Sequence, residues 1–122
     1  MALDLSFSGI GSLAGLREER PGYDEVRWLN VGCCSALKKF SRKELPRSLE
    51  CLVISLDLLE MSAGELEAEL PGGICLYQAK ESREVPGAIC YARKLKPSYA
   101  ADYNLSDELY SLFCKINEKI EK

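Results

Sequence analysis

The sequence predicts an α+β fold, with one antiparallel sheet and two main helices packed on one face. Three observations lead there. Strand-like and helix-like segments follow one another without strict βαβ alternation. Two strand-like segments near residues 74–79 and 88–95 are joined by a short loop, as in a hairpin. The apolar positions Leu105, Leu109, Leu112, Phe113, Ile116 and Ile120 line one face of a C-terminal helix, behind Asn104 or Ser106 as cap. At 122 residues the chain is read as a single domain, 1–122, with one core.

In order along the chain, Leu3, Leu5 and Phe7 alternate with polar residues and predict an extended start, punctuated by Gly9, Gly11 and Gly15. Residues 13–18 read as a short strand, and Pro21-Gly22 as a turn. Val26, Leu29, Cys33, Leu37 and Phe40 recur at helical spacing, which predicts a helix between Tyr23 and Phe40, with Lys38 and Lys39 near its C-terminal end. Residues 41–47 form a basic connector. Residues 51–58 fit a strand or a buried helix, and the short β-branched run Val53-Ile54 favours the strand. Ser62 and Glu65 form a capping box that opens a short helix ending before Pro71-Gly72-Gly73. Pro71-Gly72-Gly73-Ile74-Cys75 and Pro86-Gly87-Ala88-Ile89-Cys90 resemble each other, a duplication too short to signal a solenoid.

Composition narrows the chemistry. The chain is 47% hydrophobic and 29% charged, an ordinary globular balance. It contains no His, which removes Ser-His-Asp and Cys-His catalysis and every His-ligated metal or haem site. A net charge of -3 speaks against nucleic acid as partner. No secretory signal and no membrane-spanning run is visible, so a cytoplasmic protein with reduced thiols is expected, without a membrane partner. The six cysteines form no C-x-x-C pair and read as small buried hydrophobes. No metal site, glycine-rich phosphate loop or cofactor is indicated. A disulfide between Cys75 and Cys90 would need the hairpin to set them opposite one another.

Several motifs resemble the gyrase-inhibitor-like domain, the small-molecule-binding family that also serves as effector domain of multidrug-responsive transcription activators. They are Pro21-Gly22-Tyr23-Asp24-Glu25, with the family's Gly and Pro exchanged, and Ser55-Leu56-Asp57-Leu58, which keeps the Asp but lacks the tyrosines and Pro. Ser62-Ala63-Gly64-Glu65-Leu66, Glu84-Val85-Pro86-Gly87-Ala88-Ile89-Cys90-Tyr91-Ala92 and Tyr110-Ser111-Leu112-Phe113 extend the likeness over residues 13–121. The family continues into strands that carry a pocket carboxylate. This sequence ends at Lys122, and residues 3–7 are the candidate to fill that edge.

The resemblance implies a non-catalytic, regulatory binding module. Tyr23, Trp28, Tyr77 and Tyr91 would wall a cleft for a small organic ligand, planar or cationic, with Glu18 or Asp57 supplying charge. The plainer reading makes each ring a core residue and each carboxylate a solvated one. The alternative function is an acidic inhibitor or immunity protein whose 50–70 stretch (Glu50, Asp57, Glu60, Glu65, Glu67, Glu69) meets a basic protein partner. An enzyme is the third reading, and relatives that hydrolyse strained small molecules do so with an acidic residue. The basic cluster of Lys38, Lys39, Arg42, Lys43 and Arg47 reads as a solvated connector. A homodimer through an exposed strand stays open.

Overall fold

The computed structural model describes residues 1–102 and 105–118. Five strands, β1 (Ala2–Asp4), β2 (Trp28–Asn30), β3 (Cys51–Ile54), β4 (Cys75–Glu81) and β5 (Ile89–Ala92), form one sheet in which spatial order equals chain order. The class is α+β, but the sheet is mostly parallel: β1, β2, β3 and β4 run parallel to their neighbours, and only β5 is antiparallel to β4. The expected antiparallel sheet is thereby corrected.

The cause is a repeat that apolar periodicity does not disclose. Leu3, Leu29, Leu52 and Leu76 are register partners in successive strands. They lie roughly 23–26 residues apart, and each coil is one strand followed by a tight return. Such coils cannot bury their apolar side alone, so they stack as a short solenoid. Leu29, Leu52 and Leu76 are fully buried. They face a core shared with Leu16 of α1 (Leu16–Glu19), Leu66 of α2 (Ala63–Glu69) and Leu112 of the C-terminal helix (Asp107–Glu118). A further short helix, α3 (Pro97–Asp102), precedes that last one, α4.

The helix expected over residues 23–40 is absent. A 3-10 turn (Tyr23–Glu25) leads into β2, and Gly32 and Cys33 then turn the chain, Cys33 with φ 58. Val26, Leu29, Val31, Cys34 and Leu37 are all buried, because the coil returns an apolar side chain inward every two or three residues. That rhythm imitates the helical period. Residues 16–19 are helical rather than extended. The strand reading of residues 51–58 holds over Cys51–Ile54, after which Leu56–Leu58 is a 3-10 turn. The α2 capping box, the hairpin and α4 stand as expected. Ser106 Oγ accepts the Leu109 N–H at 3.2 Å, while Asn104 and Ile120 lie outside the described residues.

Two details position the open side of the sheet. A Cβ on Gly32 would lie 2.5 Å from Ala79 Cβ and 2.7 Å from Ile89 Cδ1. The end of β2 therefore meets β4 and β5, and the hairpin curls across the face opposite the core. Beneath it Val53 is fully buried and Asn30 1% exposed. Where β5 ends, Asn117 of α4 takes its place at the edge of β4. Its Oδ1 accepts the Leu76 N–H at 3.1 Å, and its Nδ2 donates to Leu76 O and Arg93 O at 2.9 Å.

Candidate functional site

Strand residues alternate between faces, so the residue before each repeat leucine points away from the core. Those residues are Ala2, Trp28, Cys51 and Cys75, in one register row. Tyr77 stands two residues further along β4, and β5 contributes Tyr91, paired with Ala79 on the same face. The rings meet: Tyr77 and Tyr91 are edge-on with centroids 5.5 Å apart, and Trp28 lies 6.3 Å from Tyr91 at 59°. Both spacings suit the quadrupoles of aromatic pairs. Tyr91 remains 47% exposed.

Two thiols sit beside the rings. Burial, and then Cys75 alongside, push the Cys51 thiol up to about 11. Burial raises Tyr77 as well, helped by its hydrogen bond with Cys75. Arg93 Nη1 lies 3.8 Å from Cys75 Sγ. Burial thus holds Cys51 as a neutral thiol near neutral pH, poorly suited to act as a nucleophile.

Of the residues singled out in the sequence, the structure brings together Trp28, Tyr77 and Tyr91. Tyr23 is not with them. It is 2% exposed in the core, its hydroxyl donates to Glu44 O at 2.7 Å, and burial pushes it up to about 12. Glu18 lies exposed on α1, on the return side of the sheet. Asp57 follows the C-terminal end of β3, where it accepts from Gln78 Nε2 at 2.7 Å. It borders a separate hollow of about 350 Å³ with Phe7, Cys33 and Glu81.

Cys51, Cys75 and Arg93 belong to the cluster without having been singled out for it. The signal for the two cysteines was their place directly before a repeat leucine. The hairpin pairs Cys90 with Lys80, not with Cys75, and Cys75 is instead beside Cys51 on β3. The opposition that a Cys75–Cys90 disulfide would need is therefore not made, and all six cysteines are free.

No family model, curated protein or solved structure matches the chain. The resemblance to the gyrase-inhibitor-like domain rests on its short motifs. Among the described residues no group of three or more His, Cys, Asp or Glu converges as a metal site. Nor is any described helix long and apolar enough to cross a membrane. Much of the acidic 50–70 stretch is engaged within the molecule. Glu50 pairs with Arg27 at 3.5 Å, Glu65 closes the α2 capping box, Glu67 meets Lys115 at 2.9 Å, and Glu69 accepts the Arg42 N–H at 2.6 Å.

Proposed function

We propose that this protein is a non-catalytic binding module that engages a protein partner through the Trp28–Tyr77–Tyr91 face. The carrying observation is the ring geometry. Tyr77 and Tyr91 rest edge to face with Trp28 tilted against Tyr91, so the rings fill the space between them. That leaves a continuous aromatic surface, where a small planar ligand would need an open slot. Aromatic residues beside an Arg are the composition of interface hot spots, here Arg93 next to Cys75. The architecture agrees, since coils of this length and leucine placement are those of leucine-rich solenoids, whose extended sheet face offers a binding surface.

The test is selection of peptides from a display library against the whole protein. Selected peptides should lose about tenfold or more in affinity on Tyr91→Ala, an exposed position whose loss leaves the core intact. Peptides indifferent to Tyr91→Ala would overturn the reading. A thermal-shift panel of planar cationic and neutral compounds runs beside it. Stabilisation by one of these, abolished by the same substitution, would transfer the face to a small organic ligand.

A further inference from the structure

The basic connector is not the diffuse solvated stretch that its sequence suggests, and it lies outside the aromatic face. Arg17, Arg42, Lys43 and Arg47 surround a hollow of about 450 Å³ rimmed by Pro46 and Pro71. Its frame is built. Arg17 donates to Asp24 at 2.8 and 3.0 Å, to Lys43 O at 3.0 Å and to Leu45 O at 3.2 Å, tying α1 to the connector. A capping box of Ser41 and Glu44 fixes the 3-10 turn Arg42–Glu44.

The neighbouring acids are already committed. Asp24 accepts from Arg17 and from the Arg47 N–H, Glu44 from the Ser41 N–H, and Glu69 from the Arg42 N–H. Arg47 reaches Asp24 only at 3.9 Å through its guanidinium. The cationic ends of Arg42 and Lys43 have no ion pair among the described residues. Four cations therefore line one hollow on a chain of net charge -3, and Arg42 and Lys43 keep their charged ends available beside the Arg17–Asp24–Arg47 group.

We propose that this hollow binds a compact polyphosphate group. A multivalent anion can engage the charged ends of Arg42 and Lys43 together, and guanidinium groups match phosphate oxygens in pairs. The volume suits one small ligand. No aromatic side chain lines the hollow, so nothing there would stack a base, and recognition is of the phosphates themselves.

The experiment is titration of the isotope-labelled whole protein with sodium tripolyphosphate at low salt, followed by amide chemical shifts. Saturable shifts centred on residues 42–47 are expected. Arg42→Gln with Lys43→Gln should weaken binding by about tenfold or more. Lys38→Gln with Lys39→Gln removes the same charge outside the hollow and should change it by no more than about twofold. Tyr91→Ala should leave it unaltered, which separates this site from the aromatic face. Absence of saturation, or equal weakening by both double variants, would overturn the proposal, the latter by showing only diffuse attraction.

Discussion

Tyr23 joins two parts of the chain through a single atom. Its ring is buried among core leucines, and its hydroxyl donates to Glu44 O, closing the coil between β1 and β2 onto the next one. Tyr23→Phe keeps the ring and removes that bond, so a loss of about 1 kcal/mol at pH 7 is expected in denaturant titrations. The phenol also governs alkaline behaviour. Burial raises it from 10.0 to about 12, so the folded state holds the proton more tightly than the unfolded chain. Its contribution is complete below pH 10 and is lost as pH rises toward 12. The Phe variant should show a shallower fall in stability over that window, and an unchanged slope would contradict the assignment. The sequence left Tyr23 between a cleft wall and a core ring, and it gave no sign of the bond to Glu44 O. Asn117 was equally silent: a polar residue on an amphipathic helix gives no sign that it will complete a strand edge.

Among the elements, the β4–β5 hairpin decides what the sheet presents. Its turn region and apolar arms were legible, because strand propensity and the Pro86-Gly87 signal are local. Its path over the open face was not, since it depends on Gly32, more than forty residues earlier in the chain. Gly32→Ala would drive a methyl into Ala79 and Ile89. The expected cost is about 1–3 kcal/mol, as for other overpacked sites. The substitution should also pull Tyr91 away from Trp28, read as a change in tryptophan fluorescence. An Ala variant of wild-type stability would show that the hairpin does not press on β2. The α2 helix is the opposite case. Ser62 and Glu65 bond to each other's backbone N–H groups three residues apart, so its start could be read directly from the sequence.

The whole molecule is held by a ladder. Leu29, Leu52 and Leu76 stack across adjoining strands, and β3 stands between β2 and β4. Leu52→Ala thus opens a cavity shared by two neighbouring coils, with an expected loss of about 2–5 kcal/mol. Each coil leans on the next, so unfolding should remain one transition by circular dichroism and by Trp28 fluorescence. Separate transitions would mean that the coils on either side fold independently. At this scale the two candidate surfaces are built from different parts: four cations line the hollow at the connector, while Trp28, Tyr77 and Tyr91 meet on the outward face of the sheet.

By itself the sequence determined the elements whose signals are local: the extended start, β3, the capped α2, the hairpin arms and the amphipathic α4. It also offered four rings, Tyr23, Trp28, Tyr77 and Tyr91, without telling which of them would meet. Tertiary structure alone decided that the sheet is mostly parallel. Strand direction is set by whether each connection turns straight back or crosses to the other end of the sheet, and a return of some twenty residues carries no short-range mark of that choice. It also decided between the two readings of Tyr23 in favour of the core, set Cys51 and Cys75 side by side, and brought Arg17 to the connector. Each of these is a contact between coils, made only when the leucine ladder brings distant residues into register.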